Sequence, residues 1–85
     1  MPTISMFYGI LIQMNYNDHT PPHFHAKYQD DEASFSLDGE IIEGSMPAKQ
    51  AKLIAAWAEI HREELEANWN LRKEGEPIFK IRPLE

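Results

Sequence analysis

The sequence predicts an α+β fold, an antiparallel sheet of four or five strands with one long broken helix or a helix pair packed on one face. Three observations carry that expectation. Apolar residues recur with the strand period of 2 up to about residue 44. From Met46-Pro47 onward they recur with the helical period of 3.6. Short polar turns such as Asp38-Gly39 separate the strand-like runs and join them into a meander.

Residues 6–16 read as one strand with Tyr8, Ile10, Ile12, Met14 and Tyr16 on its apolar face, and Gly9 marks a bulge or a close backbone approach. Asn17 and Asp18 open a turn through their own side chains, and Pro21-Pro22 stiffens the bend that follows. A second strand over 23–29 places Phe24, Ala26 and Tyr28 toward a core and His23, His25 and Lys27 toward solvent. The third, over 32–37, turns Ala33, Phe35 and Leu37 inward. Asp38-Gly39 then has the composition of a two-residue type I′ turn into a fourth strand over 40–44. Pro47 suits the first turn of a helical region over 47–74, along which Leu53, Ile54, Trp57 and Ile60 or His61 recur at helical spacing, followed by Leu65, Asn68 and Trp69. Unbroken, that helix would reach about 40 Å against a domain diameter of roughly 30 Å, so a break is expected near His61. Gly75 ends the helix and Pro77 prevents its continuation, leaving 78–82 as a final edge strand. The expected core is Ile10, Ile12, Phe24, Phe35, Leu53, Trp57 and Leu65.

With 85 residues the chain fits a single domain, 1–85, whose core is modest, so a homodimer or a partner interface would be in keeping with its size. The absence of cysteine excludes disulfides and thiolate metal sites. No apolar run approaches the roughly 18 to 20 residues that span a bilayer, and the first residues lack a basic targeting region; a cytoplasmic protein without a membrane partner is expected. A net charge of −6 argues against broad, non-specific binding to nucleic acid. The charge is uneven, however. Acids crowd residues 30–43, whereas Arg72, Lys73, Lys80 and Arg82 gather near the end as a local basic patch, or, for the first two, as complements to a helix dipole.

Chemistry concentrates in Asn17-Asp-His-Thr-Pro-Pro-His-Phe-His25. His23 and His25 lie roughly 6 to 7 Å apart on one strand face, and His19 can fold back across the bend to meet them. Three uses stay open. Three imidazoles can ligate zinc with an open position for water. Two imidazoles can act as acid and base in RNA cleavage, with Lys27 stabilising phosphate charge. The same side chains can also serve structure or partner contact. Because no fourth protein ligand is evident, no tightly held metal is expected, zinc on His19, His23 and His25 being the alternative. Asp18 and Tyr16 are near enough to orient an imidazole. No phosphate loop, nucleotide fingerprint or Ser/His/Asp arrangement is present.

Pro2-Thr3-Ile4, Phe7-Tyr8-Gly9-Ile10, Asp18-His19-Thr20-Pro21-Pro22-His23-Phe24-His25-Ala26 and Trp57 to Leu65 with Asn68-Trp69 together resemble a family of small bacterial proteins known mainly as a domain of unknown function. Pro-Pro-His-Phe-His is its most specific mark. Members often stand beside a second small gene in a toxin and antitoxin arrangement. The resemblance implies a toxin-like component, acting on RNA in our reading, that a small antitoxin-like partner protein inhibits. The alternative is a non-enzymatic regulatory or protein-binding module, such as a transcription-related accessory. The resemblance supplies no catalytic residue, so His19, His23, His25 and Lys27 rest on their chemistry alone.

Overall fold

The computed structural model describes residues 2–85 and runs β1 (Thr3–Phe7), β2 (Ile10–Gln13), β3 (His23–Tyr28), β4 (Asp31–Ser36), β5 (Ile41–Gly44), α1 (Ala48–Ile60) and α2 (Arg62–Lys73). The five strands pair antiparallel in sequence order, giving the expected α+β meander. Strands β3 to β5 fall within one residue of their expected bounds.

The first strand differs from expectation. Residues 6–16 are not one strand but contribute to a hairpin that begins at Thr3. Tyr8 and Gly9 both take positive φ, 49° and 78°, and Phe7 pairs with Ile10 across them, the geometry of a type I′ turn. The turn resets the alternation for Phe7, and a register irregularity between Thr3 and Ser5 turns Ile4 inward as well, so both join Ile10, Ile12 and Met14 in the core. The other hairpin differs in the opposite sense. Of Asp38 and Gly39 only Gly39 has positive φ, and the loop is the three residues Leu37–Gly39. It is closed by Gly39 N–H donating to Ser36 O at 2.9 Å and Ser36 N–H donating to Glu40 O at 2.8 Å. Glycine is needed there twice over, for its φ of 89° and because a Cβ would lie 2.8 Å from Ala55 Cα on α1.

The helix breaks where its length required. His61, at φ −108° and ψ 27°, ends α1 by donating its N–H to Trp57 O and opens α2 by accepting from Leu65 N–H. Helix α1 covers the sheet face that carries Phe24 and Phe35. These two rings stack at 5.5 Å, and Trp57 meets Phe24 edge-on at 5.6 Å. Full burial of such side chains contributes about 1.5–3 kcal/mol each. Ile54, Ala58 and Leu65 complete this layer. Leu53, expected in the core, is only partly buried against it, because the inward face of α1 passes through Ile54 and Trp57.

Residues 78–82 do not form the expected edge strand. Among the described residues, one backbone bond joins this tail to the edge of β1, from Ile81 N–H to Ile4 O at 2.7 Å. Side chains supply further attachment: Tyr16, which reaches the tail and not an imidazole, donates from its hydroxyl to Glu76 O at 3.0 Å and accepts Ile78 N–H at 3.1 Å, and the helices contribute Asn68 and Trp57. Asn68, fully buried, donates from Nδ2 to Phe79 O at 2.8 Å and accepts Phe79 N–H on Oδ1 at 3.0 Å. Trp57 Nε1–H donates to Arg82 O at 2.9 Å. Among the described residues, no helix is long and apolar enough to cross a membrane.

Candidate functional site

The face of the sheet away from Trp57 carries His23 and His25 on β3 and Ser34 on β4, with His25 opposite Ser34 in register. This face is not simply solvated, as the strand pattern suggested. The segment joining β2 to β3 folds over it, leaving the His23 and His25 side chains only 15% and 17% exposed. Asp18 comes from that segment and is 13% exposed.

Local bonds hold Asp18 in place. Its Oδ2 accepts Asn15 N–H at 3.2 Å, closing a tight turn. Arg72, from the last turn of α2, donates from Nη1 to Tyr16 O at 3.1 Å and Asp18 O at 2.9 Å. The guanidinium lies 3.5 Å above the Trp69 ring, and Trp69 in turn packs against His23 at 5.5 Å. A chain of contacts therefore runs from α2 to the imidazoles. Arg72 is buried, so it does not belong to a phosphate-binding patch at the end of the chain.

The two imidazoles turn their Nε2 atoms to one point. His25 Nε2 lies 3.1 Å and 3.3 Å from the Asp18 oxygens, and His23 Nε2 lies 3.5 Å from Oδ2. Their opposite nitrogens are anchored: His23 Nδ1 sits 2.8 Å from Pro21 O and His25 Nδ1 3.2 Å from Ser34 Oγ. A carbonyl can only accept, so His23 Nδ1 carries its hydrogen. In neutral His23 the Nε2 lone pair then faces a carboxylate oxygen. At 3.5 Å these two acceptors make no direct hydrogen bond, and a water or a cation can bridge them.

The sequence-derived trio His19, His23 and His25 is therefore altered. Of the four candidates, His23 and His25 converge. His19 is exposed and lines the wall of the adjoining depression, because the turn that Asn15 and Arg72 hold points Asp18, its neighbour, at the imidazoles instead. Lys27 is exposed, pairs across the ladder with Glu32 and does not line that depression. The depression measures about 360 Å³, is open to solvent, and includes Asp18, His19, His23, Ser34, Ile42 and Glu43 in its lining. Gln13, the cross-strand partner of His25 on β2, keeps a buried Oε1 without a donor.

Asp18 was anticipated as an orienting group and not as a member of the converging set. Ser34 and Arg72 were missed. For Arg72 a signal existed, since Leu65, Asn68, Trp69 and Arg72 are spaced i, i+3, i+4, i+7 and so share the buried stripe of α2. Ser34 gave none, because its role follows from strand register.

A family model described as a domain of unknown function, DUF4160, matches residues 9–70. The chain belongs to the DUF4160 family. The match runs from the β1–β2 turn well into α2 and contains Asp18, His23, His25, Ser34 and Trp69, whereas Arg72 and the strapped tail follow it. Comparison with curated proteins and with solved structures gives no significant match. Membership in DUF4160 thus assigns the fold unit a family without assigning it a reaction.

Proposed function

We propose that this chain is the toxin-like component of a bacterial two-gene toxin–antitoxin pair, that it acts in the cytoplasm on RNA, and that a small partner protein inhibits it. The observation that carries this reading is the convergence of His23 and His25 on Asp18 at the edge of an open depression. Side chains kept only for stability have no need to share one carboxylate beside an accessible hollow. One imidazole so placed can accept the proton of an attacking hydroxyl and the other can protonate the leaving oxygen of a phosphodiester. Ile42 of the free edge strand β5 also lines the depression, so an inhibitor seated along β5 would cover the site's mouth.

Controlled expression tests this. The chain alone should arrest growth and deplete intact RNA, co-expression of the neighbouring small gene should relieve the arrest, and His25→Ala should remove it while the protein remains folded. Normal growth at high levels of folded wild-type chain would refute the reading.

A non-enzymatic, protein-binding module is the second reading. It is favoured by β5 itself, an unpaired sheet edge whose Ile41 and Ile42 are 44% and 48% exposed, the kind of edge to which a partner adds a strand. Under it, Ile42→Lys should abolish the biological effect and His25→Ala should leave it intact.

A further inference from the structure

We propose that Asp18, His23 and His25 form a divalent-cation site of the zinc class, with its remaining position open to the depression. The inference builds on the reading that this cluster is the working centre, but it stands on geometry and is measured without RNA.

One ligand atom from each residue lies within 4.8 Å of the other two. A tetrahedral zinc ion bound at about 2.0–2.1 Å holds its ligand atoms about 3.3 Å apart. His25 Nε2 to Asp18 Oδ2, at 3.1 Å, and His23 Nε2 to the same oxygen, at 3.5 Å, already bracket that spacing. The two imidazole nitrogens lie within 4.8 Å of each other. The surroundings also fit. Metal-bound histidines characteristically donate their other ring N–H to an oxygen, and here both Nδ1 atoms are held by oxygens, Pro21 O and Ser34 Oγ. A cation can bridge the facing acceptors of His23 and Asp18. Two imidazoles and one carboxylate form a borderline donor set, suited to zinc and its first-row neighbours and ill suited to calcium, which prefers oxygen alone.

Charge supplies an independent argument. The chain carries −6, and both Asp18 and Glu43 line the depression, a setting that repels a phosphodiester. A divalent ion on the cluster cancels the charge of these two carboxylates and gives an anionic substrate an oxygen-binding point. With three protein ligands the ion is held less firmly than in a closed four-ligand site, so zinc binds in titration and is removable by chelator.

The test is titration of the full chain, first stripped with chelator, with zinc chloride by calorimetry and with cobalt(II) by visible absorption. One equivalent should bind, and cobalt should give the intense absorption of a four-coordinate centre. Asp18→Asn should weaken binding by about tenfold or more, and His23→Ala with His25→Ala should remove it. His19→Ala should leave it unchanged. If the double variant does not fold, zinc-induced shifts in the imidazole resonances of wild-type His23 and His25, with none at His61, replace it as the readout. Absence of saturable binding would overturn the proposal and leave a histidine–carboxylate cluster only; binding that survives loss of both imidazoles would overturn it as well. Zinc binding without growth arrest would sink the RNA reading alone, and full RNA cleavage in excess chelator would sink the metal site alone.

Discussion

Arg72→Met should loosen both the fold and the site, by an amount that the structure lets us work out. The substitution keeps the aliphatic volume against Trp69 and deletes the guanidinium, which makes two hydrogen bonds to the carbonyls of Tyr16 and Asp18 and one cation–π contact. A hydrogen bond to a charged group contributes about 1.5–3 kcal/mol. The contact with the indole adds about 0.5–2 kcal/mol, more when it is desolvated. Against this stands the gain from no longer burying a charge in a residue only 6% exposed, a penalty of several kcal/mol in unfavourable settings. Water can also reach the freed carbonyls, since Tyr16 and Asn17 are exposed. The net expectation is a loss of about 2–3 kcal/mol in urea denaturation, equivalent to about 8–24 °C in Tm for a domain of this size. The site should suffer beyond that. Amide exchange across residues 15–20 should accelerate at denaturant concentrations where the sheet is still fully protected. Unchanged stability together with unchanged exchange in 15–20 would refute the role assigned to Arg72. A uniform loss of protection throughout would show that it serves the core and not the Asp18 turn.

Phe24→Ala should cost about 3–5 kcal/mol, because a fully buried ring stacked on Phe35 leaves a cavity, and thermal melts should show most of the domain's stability gone. His25→Ala should cost less, about 1–2 kcal/mol for its bonds to Asp18 and Ser34, and retain native circular dichroism; equal losses in the two variants would mean that His25 is scaffold. Gly39→Ala should destabilise by more than Gly75→Ala, since both have positive φ but only at 39 does the new methyl meet backbone, at 2.8 Å from Ala55 Cα; equal Tm shifts would contradict the close approach of the hairpin to α1. Asn68→Leu should free the tail by removing both bonds to Phe79, seen as rapid proteolysis within 77–85 while the sheet remains intact.

Much of the fold was legible because its signals are local. The change of period at Met46-Pro47 and the excess length of an unbroken helix located α1, α2 and the break at His61 without any tertiary knowledge. Turn chemistry was less readable. Asn-Gly or Asp-Gly is the usual mark of a type I′ turn, yet that geometry occurs at Tyr8-Gly9, whose tyrosine gives no warning, while Asp38-Gly39 takes a three-residue form because it must approach Ala55. The tail alternated like a strand but is held by Asn68 and Trp57, contacts of long sequence separation that no window of the chain contains. The site divides in the same way. His23 and His25 share a face by strand periodicity, so sequence placed them together. Whether residue 18 or 19 would join them depended on a turn that Arg72 holds from 54 residues away.

That division bears on how the site can work. The imidazoles stand on the second of three consecutive paired strands, with His25 opposite Gln13 on one side and Ser34 on the other, and are as rigid as the sheet. Asp18 stands on a turn secured by two bonds with Asn15 and by Arg72. A ligand arriving between them can therefore draw the carboxylate toward the imidazoles at little cost, whereas moving the imidazoles would break the ladder of β3. Closure onto a cation or a substrate should thus be a movement of residues 15–20, with Trp69 and Arg72 as its fixed backing. Paramagnetic or chemical-shift perturbation confined to that turn and the two imidazole rings is the expected signature of binding, and perturbation spread along β4 and β5 would place the ligand on the free edge instead.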